Sequence, residues 1–392
     1  VGVSMVVSEL CHLPSTINFL KIRGAYSSVG SSIPRFLSIP TYAKNDATGS
    51  WETNSYMPVG ELYPERTESF ETGINIKIWH GRLNLDATYY LSNTYNQTFQ
   101  PSISASSGWS SMYVQSGNVR NTGLELIATS NNKWHQFSWN TNFVLSYNKN
   151  KIIELVDRFT DPTGKIGSIN RISQGGIGSS EIILTKGGTI GDLWTKTEVK
   201  KDADGQIWIN PQTGKLAIEE NVLKKAGSVL PKYNLSLRNE WSYKNVSLGL
   251  MFYARLGGVT VSQTQAILDG LGVSEASAQA RDNGGVMVGD QTIDAQTWYE
   301  TVGAAGVYSH YIYSASNVRL QEATLTYTHS LNLWDRKTIV TVSVLGKNLW
   351  MIYNKSPFDP EVTPSTGTYF QGFDYFMQPG LRNYGFSIRL QL

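Results

Sequence analysis

The sequence predicts an all-β chain: the C-terminal portion, about eleven antiparallel strands, of a large up-and-down transmembrane β-barrel. Apolar and polar residues alternate along many segments, and this period of two places them on opposite faces of a strand. Short polar turns alternate with long connections, as in barrels of an outer membrane. Hydrophobic residues make up only 40% of the 392 residues and are dispersed, without a run of about 18 that would predict a transmembrane helix.

The predicted strands recur along the whole chain. The terminal segment shows the pattern most clearly, because Phe386, Ile388 and Leu390 alternate with Ser387 and Arg389 up to the end. The other predicted strands cover approximately residues 1–8, 18–29, 67–78, 83–92, 117–129, 136–148, 234–243, 246–256, 317–329 and 338–349.

The connections alternate in length. Short polar turns are predicted at 79–82, 130–133 and 243–245, with a slightly longer one at 330–337. Long connections are predicted at about 30–66, 99–116, 150–231, 257–316 and 350–381. In an outer-membrane barrel the short turns lie in the periplasm and the long loops outside the cell. Leu392 is therefore expected at the periplasmic rim.

One predicted strand changes phase. Val318 and Leu320 share one parity, whereas Leu325 and Tyr327 share the other. A one-residue shift would reverse the face that each later side chain occupies. We therefore predict a β-bulge near Gln321–Glu322.

The polar face carries many charged residues, which a narrow barrel would bury at a cost of several kcal/mol each if unpaired. They are Lys21, Arg23, Glu71, Lys77, Glu125, Arg238, Glu240, Arg255 and Arg389. A wide, hydrated or plugged lumen is therefore expected, and eleven strands are too few for it. We assign residues 1–392 to the C-terminal half of a larger barrel and expect its first strands to be absent from the chain.

Composition narrows the classes of protein and partner. The formal net charge of +2 gives no indication of nucleic-acid binding. The single cysteine, Cys11, cannot form an intrachain disulfide, and we interpret it as a small apolar residue near a turn. The first residues contain no export signal, so we expect a mature chain or a fragment.

Several motifs, in this order and spacing, resemble the C-terminal barrel of SusC/RagA-type TonB-dependent outer-membrane transporters. They are FLKIRGAY at 19–26, PERTESFETG at 64–73, GNVRNTGLE at 117–125, GGTIGDLW at 187–194, PKYN at 231–234, VRLQEATLTY at 318–327, GKNLW at 346–350, PFDPEV at 357–362 and the terminal strand. The chain differs from the family pattern at Leu392, where an aromatic residue is usual.

The resemblance implies a 22-stranded barrel in the outer membrane of a Gram-negative bacterium, with an N-terminal plug. It also implies a SusD-like surface lipoprotein as partner, TonB as energy source and an oligosaccharide or peptide as substrate. TonB would act through the missing N-terminal part, which includes the plug domain. The outer surface of the barrel would contact outer-membrane lipid.

Aromatic side chains are the best candidates for contacts with ligand or partner, because their faces stack on sugar rings and their bodies pack at interfaces. Those in predicted extracellular segments are Trp109, Tyr113, Trp194, Trp208, Trp298, Tyr299, Tyr308 and Tyr369. Packing within the loops is the alternative for each. A second group near strand ends is expected to form a membrane-interface girdle: Trp79, Trp134, Trp241, Trp334 and Trp350.

No catalytic or metal-binding pattern stands out, so we expect no enzymatic activity. The five histidines (His12, His80, His135, His310 and His329) lack the spacing of metal ligands. Asp202 and Asp204 resemble the start of a calcium loop but lack the distal glutamate. A hairpin turn at Asp204–Gly205 explains them better, with calcium as the alternative.

Three further functions stay open. A receptor for an iron chelate would have the same architecture, although the family motifs favour a nutrient importer. An exported β-solenoid or adhesin would show regular repeats, and we find none. A barrel enzyme would need histidine, aspartate and serine converging at the rim.

Overall fold

The computed structural model describes residues 1–33, 37, 42–53, 55–57, 62–160, 166–304, 306–333, 336–364 and 370–391. Within them, the strands are β1 (Gly2–Val6), β2 (Ile17–Ser31), β3 (Tyr42–Lys44), β4 (Trp51–Thr53), β5 (Tyr56–Met57), β6 (Glu65–Ile78), β7 (Leu83–Phe99), β8 (Ser111–Met112), β9 (Val114–Trp134), β10 (Phe137–Glu154), β11 (Val156–Thr160), β12 (Ile166–Ile169), β13 (Arg171–Ile177), β14 (Ser180–Thr185), β15 (Asp192–Val199), β16 (Ile218–Ser228), β17 (Tyr233–Tyr243), β18 (Val246–Leu256), β19 (Val259–Ser262), β20 (Val286–Val288), β21 (Gln291–Ile293), β22 (Ile312–Ser314), β23 (Asn317–Leu333), β24 (Arg336–Asn354), β25 (Phe373–Asp374) and β26 (Asn383–Gln391).

Helices are short and occur mainly in the long connections. The α-helices are α1 (Val7–Leu10), α2 (Gln263–Gly270), α3 (Glu275–Asp282) and α4 (Ala295–Tyr299). Two 3₁₀ turns cover Ala105–Ser107 and Tyr308–Tyr311, and a π-helical turn covers Glu300–Ala304. Among the described residues, no helix has the length and apolar character needed to cross a membrane.

One large antiparallel sheet contains eleven strands, as the sequence predicted. Its order is β1-β2-β6-β7-β9-β10-β17-β18-β23-β24-β26, so that consecutive members are always neighbours. The strands reach 21 residues in β9, longer than the predicted segments. The described strands form an open sheet, with β1 at one edge and β26 at the other.

The predicted bulge is confirmed. Met251 of β18 lies opposite Glu322, whereas Phe252 lies opposite Leu320, so Gln321 is the extra residue in β23. The register between β23 and β24 shifts at the same place. The bulge therefore returns Leu325 to the face that Leu320 occupies, which explains the change of phase.

Two short turns lie where the sequence predicted them and one does not. Trp79, His80 and Gly81 form the first turn with positive φ, and Lys244 does the same in the last. The predicted turn at Ser130–Lys133 is wrong, because β9 continues to Trp134 and the chain reverses at His135, which has φ 52°. Trp134 and Phe137, on the two sides of this turn, form a stacked pair with ring centroids 6.0 Å apart. The turn predicted at 330–337 is shorter, since β23 ends at Leu333 and β24 begins at Arg336.

The long connections lie at the opposite end of the sheet and have structure of their own. Residues between β10 and β17 include a four-stranded sheet, β13-β14-β15-β16. Residues between β18 and β23 include α2, α3 and α4, and a small sheet of order β22-β19-β25 connects them to the last connection. Ser262 caps α2 by accepting a hydrogen bond from the Gln265 amide at 3.0 Å.

The hydrophobic core lies at this end of the molecule. The upper ends of β7, β9 and β10 contribute Phe99, Val114 and Ile152, which are almost fully buried. Leu193 and Tyr311, from the inserted segments, belong to the same cluster. Burial of this apolar surface makes the connections a packed layer above the sheet.

Candidate functional site

The eleven-strand sheet has one apolar face. Leu248, Leu325, Val344 and Phe386 lie opposite one another across four neighbouring strands, and each is at least 40% exposed. The same face carries other exposed large apolar side chains: Ile22, Tyr26, Phe70, Tyr89, Leu124, Trp139, Leu237, Tyr243, Val246, Tyr327, Val342, Ile388 and Leu390. An exposed apolar surface that extends across so many strands marks contact with lipid or another apolar partner.

Aromatic rings border this apolar face at two levels. On β10, the lower level begins at Phe137 and the upper level at Tyr147, ten residues further along the strand. At about 3.4 Å per residue and a tilt of about 45°, the two levels are separated by roughly 25 Å across the sheet. This height matches the apolar band of an outer-membrane barrel.

The predicted girdle residues that the structure describes lie at strand ends or beside them. Trp79 and Trp134 lie beside short turns and are about half exposed. Trp241 lies opposite Trp139 in the lower level, and Trp350 is 61% exposed near the other end of β24. Trp334 lies outside the described residues. Their role at a membrane interface remains a prediction.

The opposite face of the sheet is polar, and two of its predicted charged residues, Arg23 and Arg238, form ion pairs. Arg23 donates to Asp86 through both terminal nitrogens, at 2.6 and 3.1 Å, and Asn75 donates to the same carboxylate at 3.0 Å. Arg238 lies 3.4 Å from Glu322. These ion pairs offset part of the free energy that would be needed to remove Arg23 and Arg238 from water.

Asparagine side chains extend this polar network upward. Tyr90 donates to Asn148 at 3.2 Å, and both Asn148 and Asn150 donate to the Asn121 side chain. Gly123 makes room for the Tyr90 ring, because a Cβ there would lie 2.3 Å from the ring carbon that bears the hydroxyl. The polar face is thus built for hydrogen bonding rather than for contact with lipid.

A buried arginine fixes the last long connection to the polar face. Arg319 on β23 donates to both carboxylate oxygens of Asp359, at 2.9 and 3.2 Å, and its side chain is only 6% exposed. Its guanidinium also donates to the Asn317 side chain and lies 3.5 Å from Glu361. Asp359 and Glu361 belong to the motif at 357–362. We call these four residues the loop latch.

A cavity of about 760 Å³ opens among the connections beside α2 and α3. We call it the loop cavity. Tyr299, Tyr311, Tyr313 and His310 line it together with the charged residues Asp269, Glu275 and Lys355. Aromatic faces alongside both signs of charge suit an amphipathic oligomer such as a peptide or a sugar chain.

Burial shifts the pKa values of the histidine and tyrosine side chains that line this cavity. Burial lowers the pKa of His310, and the nearby Asp269 carboxylate opposes that shift. Burial also raises the pKa of Tyr313 to about 12, with a further contribution from Asp269. Neutral imidazole and neutral phenols therefore line the cavity at neutral pH, able to donate and accept hydrogen bonds.

The structure separates the predicted contact residues into two groups. Trp298 and Tyr308 are each 5% exposed and belong to the hydrophobic core, so packing within the loops is the interpretation that fits them. Trp298 meets His310 edge to face, with ring centroids 5.4 Å apart. Of the predicted residues that the structure describes, Tyr299 alone lines the loop cavity.

The remaining predicted aromatic residues lie apart from this cavity. Tyr113 packs edge to face with Tyr56 at 5.1 Å, and Lys200 lies 4.8 Å above the Trp208 ring. Trp109 and Trp194 are partly buried. Tyr369 lies outside the described residues. Tyr311 and Tyr313 also line the cavity but were not among the predicted residues, although the stretch 308–313 is visibly rich in aromatic residues.

The predicted hairpin at Asp204–Gly205 is present. Gly205 has φ 81°, and Lys201 pairs with Ile207 across the turn. Asp202 Oδ1 accepts hydrogen bonds from the amides of Asp204 and Gln206, at 3.0 and 2.9 Å. This carboxylate oxygen therefore stabilises the turn, and a calcium ion at Asp202 and Asp204 is still only the alternative to it.

The family described as "TonB dependent receptor-like, beta-barrel" matches residues 17–263. The chain is 25% identical to "TonB-dependent receptor P3" of Formosa agariphila, in an alignment that covers 96% of this chain and 40% of the relative. It is 32% identical to "TonB-dependent receptor P39" of the same organism over 38% of this chain and 15% of the relative.

The fold is also similar to that of solved transporters. The RagAB peptide importer in its open-open state superposes with a TM-score of 0.69 at 17% identity, over 100% of this chain and 42% of that one. Its closed-closed state gives 0.67 at 16% identity, over 99% and 43%. The chain therefore spans about two fifths of the length of these proteins.

Proposed function

Because the chain belongs to the TonB-dependent receptor β-barrel family, we propose that it forms the C-terminal part of an outer-membrane transporter that imports an oligomeric nutrient, peptide or glycan. In this proposal the N-terminal plug and the first barrel strands belong to the remainder of the full-length protein. TonB acts on that plug, and the protein performs no catalysis. Outer-membrane lipid surrounds the apolar face.

The observation that carries the proposal is the separation of the two faces of the sheet. An apolar face bordered by two aromatic levels fits a bilayer, and a polar face that carries charged and hydrogen-bonding side chains fits a water-filled or plugged lumen. Neither face alone distinguishes a transporter from a structural barrel. Together with family membership they support passage of a polar solute through the interior.

The loop cavity is the proposed first contact for that solute. Tyr299 and Tyr313 supply aromatic faces, while Asp269 and Lys355 supply charges for polar groups. The RagAB importer is a peptide importer with the same fold, which supports peptide as one substrate class. The aromatic lining supports glycan equally, so the uptake experiment includes both.

Uptake by cells that produce the full-length protein tests this proposal. Fluorescent oligopeptides and oligosaccharides are supplied separately, with a ferric chelate as the third substrate. We expect TonB-dependent uptake of one oligomer class, reduced at least fivefold by the pair Tyr299→Ala and Tyr313→Ala. The matched control is Tyr375→Ala, which removes a half-exposed loop aromatic outside the cavity. Uptake of the chelate alone would contradict the proposal.

We also propose a SusD-like lipoprotein as partner, docked on the long connections. The exposed apolar side chains Leu271, Val273 and Met287 support this, since they are 71%, 66% and 75% exposed. Copurification of the lipoprotein with the full-length protein is the test. We expect Leu271→Asp with Val273→Asp to reduce copurification, and Leu237→Asn, on the apolar face of the sheet, to leave it unchanged. Full copurification of the loop variant would contradict this docking surface.

A further inference from the structure

A cleft of about 560 Å³ lies where β10 and β17 leave the sheet for the long connections. We call it the rim cleft. Lys149, Lys151 and Lys232 line it, together with Tyr147 and Tyr233. Among the residues that the structure describes, no acidic side chain lines it. The rim cleft thus combines three ammonium groups with two aromatic rings.

The geometry of β10 places the Lys149 and Lys151 positions of this cleft on the lipid side of the sheet. The register of β10 with β9 is continuous from Phe137 to Ile152, so Lys149 and Lys151 share the face of Tyr147. Tyr147 lies opposite Tyr233 with ring centroids 5.1 Å apart, in the upper aromatic level. Lys149 is two residues above that level, about 7 Å along the strand. That height corresponds to the lipid headgroups.

The lysines of the cleft are not neutralised by the protein. Within the described part of the chain, Lys149, Lys151 and Lys232 form no ion pair, whereas Lys186 and Lys225 nearby do. Arg120 lies directly opposite Lys151 on the same face and donates to the Asn93 side chain at 2.8 Å. The positive charge at this rim is therefore concentrated and available to a ligand.

We propose that the rim cleft binds the phosphate of an outer-leaflet lipid headgroup. Ammonium groups are compact donors suited to phosphate oxygens. The tyrosine rings below would pack against the start of the acyl chains. A cleft of this size accommodates a headgroup with its phosphate. The inference rests on the proposed outer-membrane function, because it requires the apolar face to contact lipid.

Titration of the purified full-length protein in mixed micelles tests the site. The probes are phosphatidic acid, phosphatidylcholine and inorganic phosphate, with bound lipid measured by native mass spectrometry. We expect phosphatidic acid to bind more tightly than phosphatidylcholine. Removing a lysine near the surface weakens binding by about fivefold, so Lys149→Ser with Lys151→Ser should weaken it roughly 25-fold.

Two controls isolate the position of the charge. Lys201→Ser with Lys215→Ser removes the same charge from an exposed loop hairpin and should change binding less than twofold. Lys149→Arg with Lys151→Arg keeps the charge and should stay within threefold of wild type. Heat-modifiable migration in detergent establishes that each variant is folded. If the serine pair fails to fold, a photoactivatable phosphatidic acid should instead label segments 147–151 or 228–233 of the wild-type protein.

Equal binding of phosphatidic acid by the wild-type protein and the folded serine pair, or labelling elsewhere, would overturn the proposal. If an equal concentration of inorganic phosphate displaced the lipid, the claim that the cleft selects a lipid phosphate over free phosphate would be wrong. Uptake and outer-membrane fractionation are measured in parallel. They distinguish a failure of the rim-cleft proposal from a failure of the proposed transport function. Normal uptake with unchanged lipid binding refutes only the rim cleft. Absence of the protein from the membrane fraction refutes the function itself.

Discussion

Replacing Arg319 with methionine should release the last long connection from the sheet. The methionine retains the approximate length of the side chain but removes every hydrogen bond that the Arg319 guanidinium donates. Asp359 then keeps one described partner, the Glu361 amide, which donates to its carboxylate at 3.1 Å. Breaking a buried ion pair from one side costs about 3–5 kcal/mol. Asp359 retains 16% exposure, so the lower end of that range applies.

A loss of about 3 kcal/mol corresponds to roughly a 150-fold rise in the opening equilibrium of the connection. Amide hydrogen exchange over residues 355–364 in the full-length protein measures it, because exchange follows local opening. We expect protection in this segment to fall about 150-fold, while protection of β17 stays unchanged. Asp359→Asn in the methionine background should restore part of the loss, since it removes the unpaired charge.

The matched control is Arg238→Met on the same polar face. Arg238 is 47% exposed and lies 3.4 Å from Glu322, so its removal should cost no more than about 1 kcal/mol. If Arg319→Met changed protection no more than Arg238→Met does, the latch would not stabilise the docked connection. The buried ion pair would then contribute no more to stability than the exposed one.

Three further outcomes follow from the same structure. Gly123→Ala should destabilise the sheet in thermal unfolding, because its Cβ would lie 2.3 Å from the Tyr90 ring and 2.5 Å from a backbone oxygen; unchanged stability would refute this packing. Leu237→Arg should destabilise the folded barrel by about 2–4 kcal/mol, because it places a charge on the lipid face, and should lower the heat-modifiable fraction in detergent. Ser236→Arg, on the polar face, should leave that fraction unchanged. Equal effects of the two variants would contradict the assignment of faces. Burial lowers the pKa of His310 in the folded protein below its usual value of 6.5. The stability that neutral His310 confers should therefore be fully present above pH 6.5 and be lost as the pH falls through the lower, folded-state pKa. His310→Gln should remove this pH dependence from unfolding measured between pH 8 and 5, and a dependence that persisted would exclude His310 as its source.

The sheet was predictable from sequence because a period of two is a local property. Each predicted strand corresponds to a strand of the large sheet, and the reversal of parity around Gln321 located the bulge. The turn predicted at Ser130–Lys133 was wrong for a physical reason. Asn131 and Asn132 favour turns in isolation, but here they pair with Asn140 and Trp139 across the hairpin.

The candidate site was predictable only in part, because it depends on contacts between distant segments. Tyr299 and Tyr313 reach one cavity from α4 and β22, two separate elements of the same long connection. Nothing local distinguishes Tyr299, which lines the cavity, from its neighbour Trp298, which is buried. The rim cleft likewise joins β10 to a segment about eighty residues later, so its lysines carried no signal in sequence.

The assignment of the two faces is tested most directly by a spin-label scan along β17. Single cysteines from Tyr233 to Tyr243 are introduced into the full-length protein with Cys11→Ser, labelled and reconstituted in bilayers. We expect accessibility to oxygen, which partitions into lipid, to be high at Leu235 and Leu237 and low at Ser236 and Arg238. A profile without a period of two, or with the opposite phase, would contradict a lipid-facing apolar side and an internal polar side.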